Sequence, residues 1–249
     1  MENFLDPVRQ VLDELAKPAD IFFRDDDAGW EDRRLMQLLD LFEHFELPID
    51  LAAIPHAMTN ELGRKLLQRM SGNNGNVGVH QHGYAHLNHE KEGRKCEFGA
   101  SRNRAQQRED IRQGQGRLQQ FLGAELDSIF TPPWNRCTVE TGECLVELGF
   151  AALSRESGAE PLNISGLAEL PVTQDWFAHR KGIRLTPLKW GESLAAKLNA
   201  STPVGIMFHH AVMDQDEMNA TAELLELLRS HASAHCHSMR ELVPTHAGR

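Results

Sequence analysis

Short apolar runs alternate with segments of helical period along most of this chain, and that alternation narrows the possible folds more than any other feature. Phe4, Val8, Val11, Leu12 and Leu15 recur at helical spacing and stop at Lys17-Pro18, so an amphipathic helix is expected first. A strand follows at Ile21 to Arg24. Leu35, Leu38, Leu39, Phe42 and Phe45 form the next apolar helical face, and beyond Pro48 a second strand runs from Ile49 to Ile54. A helix from about Asn60 to Met70, a turn at Gly72-Asn73-Asn74-Gly75 and a strand at Asn76 to Val79 extend this βαβ pattern.

Between Asn88 and Arg104 the chain is polar and without period, as a loop over a site would be. A charged helix is predicted from about Asn103 to Leu122, a strand at Ser128 to Thr131, a helix at Val139 to Leu148 and a strand at Phe150 to Ser154. The stretch from Glu156 to Gly191 carries the weakest pattern, with short strands expected at Leu170-Pro171-Val172 and Ile183-Arg184-Leu185. Val204 to Phe208 reads as a buried strand and Met218 to Leu228 as a helix. About seven strands alternating with helices favour a barrel-like α/β architecture over an open nucleotide-binding sheet, and neither G-x-G-x-x-G nor a Walker-type loop occurs.

A length of 249 residues suits one barrel, so a single domain over 1–249 is expected, and 41% hydrophobic residues are enough for a substantial core. The net charge of -10, with basic residues scattered, argues against a nucleic-acid partner. The first residues have neither a basic start nor an apolar core of signal-peptide length, and no stretch is long enough to span a bilayer. A cytoplasmic protein without a membrane partner is the expectation. Cys96, Cys137, Cys144 and Cys236 form no C-x-x-C, so reduced and mostly buried thiols are expected.

Chemistry is concentrated at the ends of the predicted strands, where α/β folds build their sites. His82-Gly83-Tyr84-Ala85-His86 sets two imidazoles four residues apart, a spacing that lets both meet one ion from a single turn. Asp25-Asp26-Asp27 follows the first strand, and three successive carboxylates repel one another unless a cation holds them. One can ligate an ion while a neighbour takes a proton from water. His80 adds an H-x-H pair with His82, leaving two ways to choose the histidine ligands, and His89 fits a supporting or lid position. Arg24 offers a charge partner and Gly29 a flexible exit from the strand. His209-His210, after another apolar strand, offers a general acid with a pKa suited to neutrality. Pro132-Pro133-Trp134 is either a rigid aromatic wall for a sugar ring or a plain turn with a buried tryptophan.

These segments, in this order, resemble the polysaccharide deacetylase superfamily, also called carbohydrate esterase family 4. The resemblance runs from Ile21 to about His210: Arg24 to Gly29 as the Asp-Asp motif, His82 to His86 as H-x-x-x-H, Thr131 to Trp134 as the proline-aromatic motif, Asp175-Trp176 as a further motif, and Ile206 to His209 as the apolar-histidine motif. It implies a distorted (β/α) barrel and a divalent metal ion, usually Zn2+, held by Asp27, His82 and His86. It also implies Asp26 as the base and His209 as the acid in hydrolysis of an N-acetyl or related amide. Asp25 could exchange roles with Asp26, and His210 with His209. Pro133, Trp134, Arg136, Asp175 and Trp176 would meet a small-molecule or oligosaccharide substrate. The arginine that begins the proline-aromatic motif in the family is Thr131 here, so Arg136 or Arg24 must support the base. Two other readings use the same residues: an amidohydrolase built on His80 and His82, and a metal-holding domain that binds a saccharide or protein without turnover.

Overall fold

The computed structural model describes residues 3–72, 76–176, 179–180, 183–199 and 203–244. Helix α1 (Asp6–Glu14) buries Val8 and Leu12 and carries Pro7 in its first turn, where a missing N–H leaves no hydrogen bond unmade. Strand β1 (Ala19–Ala28) is longer than the Ile21–Arg24 run expected from sequence because the aspartates belong to the strand itself. Helix α2 (Asp32–His44) lays Leu35, Leu38, Leu39 and Phe42 on the sheet, and strand β2 (Ile49–Ala53) is wholly buried. Helix α3 (Asn60–Ser71) starts where the Thr59 hydroxyl accepts the Leu62 N–H. The turn expected at Gly72–Gly75 falls largely outside the described residues. Strand β3 (Val77–His82) extends past the expected Val79 and contains His80 and His82.

A capping box on Asn103 begins helix α4 (Arg104–Leu122), which leads to strand β4 (Leu126–Thr131) and helix α5 (Val139–Glu147). Strands β5 (Ala152–Leu153), β6 (Ala168–Glu169) and β7 (Gln174–Asp175) are two residues each, and the expected strand at 170–172 lies between β6 and β7. Strands β8 (His179–Arg180) and β9 (Ile183–Arg184) form a separate antiparallel pair. Helix α6 (Pro187–Leu198) had no expectation from the sequence pattern, whereas strand β10 (Val204–Phe208) falls where it was expected. Helix α7 (Gln215–Ser230), strand β11 (Ala234–His237) and helix α8 (Met239–Leu242) complete the described chain. No described helix is long and apolar enough to cross a membrane.

The main sheet is parallel, in the order β6-β5-β4-β3-β2-β1-β10-β7, with β11 also on β1; the continuous path thus holds eight strands rather than about seven. One edge of β1 is shared, since β11 pairs along Ala19–Phe22 and β2 along Arg24–Ala28. The segment 168–176 curls the sheet round. Leu170 and Val172 donate to Leu153 and Arg155 on one side, while Thr173 and Trp176 donate to Gly205 and Met207 on the other. A distorted (β/α) barrel results. Alternation along the strands sends Ile21, Phe23, Leu51, Val79, Ile206 and Phe208 into the layer beneath the helices. Phe22, Ile129, Met207 and Met239 meet inside the barrel.

Candidate active site at the barrel mouth

The mouth is formed where β1, β3, β4 and β10 end. Strand alternation would send neighbouring aspartates to opposite faces, and Asp25 and Asp26 do diverge in this way. Between Asp25 and Ala28 the register with β2 shifts and Asp27 takes a left-handed φ of 71°, which aspartate tolerates better than most residues. The irregularity breaks the alternation and turns Asp27 towards the histidines.

Asp27 Oδ1 lies 3.3 Å from Nε2 of His82 and 3.3 Å from Nε2 of His86. His82 Nδ1 is 3.0 Å from the Thr131 carbonyl oxygen, an acceptor only, so Nδ1 carries the proton and Nε2 faces the carboxylate. No hydrogen bond satisfies the buried Asp27 Oδ1. Three ligand atoms within 4.8 Å of one another, with a carboxylate oxygen left unsatisfied among imidazoles, fit a divalent ion of the zinc class. Burial pushes the Asp27 carboxyl up, but the nearby imidazoles outweigh it and hold it below its usual range. Burial and then His82 lower the pKa of His86, favouring the neutral form a ligand needs.

The turn that brings His86 to Asp27 depends on a residue the sequence did not single out. Glu97 is fully buried, and its carboxylate accepts the backbone N–H groups of Tyr84 at 3.2 Å and Ala85 at 2.8 Å. Gly83 at the head of this turn has φ 55°, and a Cβ there would lie 2.2 Å from Glu97 Oε2 and 2.5 Å from Pro133 Cδ. Only glycine fits. Glu97 sits in the polar, aperiodic stretch before α4, where no periodicity distinguishes it.

Asp26 points into the barrel and is clamped by Arg24, with Nε–Oδ1 at 2.8 Å and Nη2–Oδ2 at 3.0 Å. Arg24 is completely buried and also donates to Ser154 Oγ at 2.7 Å and Asn135 Oδ1 at 2.8 Å. Burial would raise the Asp26 carboxyl, but Arg24, with His82 and His209 beyond it, holds it at about 2. Of Arg24 and Arg136, Arg24 is the one that reaches Asp26. Arg136 instead donates to the Lys95 carbonyl oxygen in the covering loop.

Asp25 and His210 form a different unit. Asp25 accepts the His210 backbone N–H at 3.0 Å and lies 2.6 Å from Nδ1, while Nε2 of the same ring is 2.7 Å from the Trp30 carbonyl oxygen. With both nitrogens facing acceptors the ring is an imidazolium: burial opposes it, but Asp25 and Trp30 raise its pKa to about 9. Both side chains are wholly buried, so the pair locks β1 to β10 beneath the mouth. His209 is about one-third exposed, and its Nδ1 lies 3.8 Å from Asp175 Oδ1.

His80 stands apart from the ligand group. It is buried one strand position pair below His82, shares a 2.8 Å hydrogen bond with Thr131 Oγ1, and burial and Arg24 lower its pKa to about 3. This placement removes the basis for the H-x-H reading. Trp134 is half-buried at a left-handed φ of 56° and stands against the His86 ring, with centroids 4.4 Å apart; Pro133 beneath it is buried. Trp30, 41% exposed, contacts the His86 ring with centroids 4.8 Å apart. The sequence offers Pro132-Pro133-Trp134 as such a wall and does not single out Trp30. Trp176 does not join it: its ring packs on Trp190 at 4.6 Å and Phe208 at 5.1 Å, under the helices.

No protein-family model matches the sequence, and no curated protein matches it either. Solved structures do match. A Mycobacterium smegmatis protein named as a polysaccharide deacetylase aligns with a TM-score of 0.71 at 17% identity, covering 92% of this chain and 90% of that one. A family 4 acetyl xylan esterase from Clostridium thermocellum, solved with a cobalt ion, aligns at 0.58 and 10% identity over 90% and 89%. A family 4 pseudoenzyme from Bacillus anthracis aligns at 0.59 and 10% identity over 92% and 66%. The chain therefore has the fold of family 4 carbohydrate esterases. At these identities the likeness establishes the fold, and activity rests on the site.

Proposed function

We propose that the protein is a metal-dependent hydrolase of carbon–nitrogen bonds that removes the acyl group from an N-acetylated sugar or oligosaccharide, or from another small amide. The observation that carries this reading is the convergence of Asp27, His82 and His86 beside a carboxylate, Asp26, that Arg24 keeps ionised. A divalent ion held by the three, most simply zinc, would polarise an amide carbonyl and make water more acidic.

The chain's own groups supply the remaining parts. Asp26 accepts the proton of the attacking water, with Arg24 fixing the direction of both carboxylate oxygens. A carboxylate held at about 2 is too weak a base for ordinary water, so the base and the ligand set work only together. His209 delivers a proton to the departing nitrogen, with Asp175 beside its ring. Trp134 and Trp30 offer ring faces for the apolar side of a pyranose. The non-catalytic reading gains from the pseudoenzyme of the same fold and from Thr131 in place of the family arginine. Arg24 counters it by clamping Asp26 from within the same strand.

The test is acetate release from N-acetylated sugars and chito-oligosaccharides by zinc-loaded protein, beside Asp26→Asn and Asp25→Asn. Turnover that Asp26→Asn abolishes supports the reading. Saccharide binding without acetate release, unchanged in Asp26→Asn, replaces it with the binding-domain reading.

A further inference from the structure

We propose a second divalent-metal site at the opposite end of the barrel, formed by Asp20, His235 and His237. The register of β11 on β1 creates it: Asp20 lies beside His235 and Phe22 beside His237. Parallel neighbours in register share a face, and residues two apart along a strand share one too. Both imidazoles therefore stand on the Asp20 side of the sheet, while Cys236 between them faces the layer beneath the helices.

The contacts agree with that placement. His237 Nε2 is 2.8 Å from Asp20 Oδ1, and the His235 and His237 rings lie with centroids 6.4 Å apart. One ligand atom from each of the three residues lies within 4.8 Å of the other two. Ligands of a tetrahedral zinc ion, bound at about 2.0–2.1 Å, are roughly 3.4 Å apart. The His237–Asp20 pair is already inside that span, and the His235 ring has no hydrogen-bond partner among the described residues and is exposed, so a rotamer adjustment closes the set. Two imidazoles and one carboxylate select a borderline transition ion, of the zinc, cobalt, nickel or copper class, over magnesium or calcium. A fourth position faces solvent.

This site is separate from the mouth. Asp20 and Asp27 are seven residues apart on one strand, which at about 3.3 Å per residue is on the order of 20 Å. Its consequence is mechanical. The β11–α8 segment closes the barrel's far end, where the Met239 N–H donates to Asp50 at 2.7 Å and Arg240 pairs with Asp127. An ion bridging β1 to β11 would fasten that closure, and binding only the folded state it would raise the melting temperature.

The experiment is equilibrium dialysis of the full chain against zinc, with cobalt as a spectroscopic substitute, followed by metal analysis. The His82→Ala, His86→Ala variant isolates the second site, and His235→Ala, His237→Ala changes one exposed and one half-buried side chain. About two equivalents in the wild type are expected, and one in each double variant. Cobalt should give a visible absorption band in the His82→Ala, His86→Ala protein that vanishes when His235→Ala and His237→Ala are added, and Asp20→Asn should weaken it. Should the mouth variant fail to fold, the wild type against His235→Ala, His237→Ala decides the matter by the loss of one equivalent. Equal zinc in those two proteins would overturn the proposal and leave the mouth site untouched. Zinc lost only with His82 and His86 would overturn it as well.

Discussion

Replacing Asp50 with asparagine should remove a pH dependence built into the far end of the barrel. Asp50 is fully buried on β2; its Oδ2 accepts the Met239 N–H at 2.7 Å, and its Oδ1 has no partner. Gly78 on β3 makes room for it, since a Cβ there would lie 2.1 Å from Asp50 Oδ1 and 3.1 Å from Asp127 Oδ2. Burial, with Asp127 adding to it against the Met239 N–H, pushes the Asp50 carboxyl up to about 8 from an ordinary 3.8. The folded chain therefore keeps this proton over a range where the unfolded chain loses it. Stability must fall as pH rises from about 4 to about 8 and level off above, by on the order of 5 kcal/mol for this group. Asparagine keeps an acceptor for the Met239 N–H and has no carboxyl proton to lose. Urea denaturation at several pH values between 4 and 9, followed by tryptophan fluorescence, should show the variant gaining on the wild type as pH rises, by up to about 5 kcal/mol. Parallel stability curves across that range would refute the argument.

Arg24→Met should leave Asp26 buried without its counter-charge; a loss of about 3–5 kcal/mol in denaturation is expected, with acetate release largely lost even in the folded fraction. Glu97→Gln weakens the cradle under Tyr84 and Ala85, and metal affinity measured by dialysis should fall about 10–100-fold. Asp25→Asn and His209→Ala should separate the two adjacent acid–histidine pairs. The first breaks a buried ion pair and costs about 3–5 kcal/mol, whereas the second leaves the melting temperature nearly unchanged and slows turnover by about 10²–10⁴.

The barrel was legible because its central strands are long and apolar enough to show themselves. Ile21–Phe23, Ile49–Ile54 and Val204–Phe208 interrupt helical periodicity with short, mostly apolar runs that read as strands. Strands β5, β6 and β7 have two residues each, too few for any period, and Pro171 lies where continuous pairing was expected. Strand β11 reads Ala-His-Cys-His, polar enough to pass for a tail, and its pairing with β1 is set by tertiary contact. At the mouth, residue types located the Asp25–Asp27 cluster and the histidines at 80, 82 and 86, and the family resemblance singled out Asp27, His82 and His86 among them. Choosing between neighbours required knowing which face each side chain takes. Asp25 with His210 and Asp26 with Arg24 are divided by strand alternation, and Asp27 is returned to the mouth by a left-handed residue that no sequence pattern announces. Glu97 binds through backbone N–H groups, which every sequence has.

If Asp27, His82 and His86 hold a divalent ion, elemental analysis of purified wild type beside His82→Ala, His86→Ala reads it without need of a substrate. The variant should carry one equivalent less per chain than the wild type. Equal metal content in the two folded proteins would mean that these three residues hold no ion.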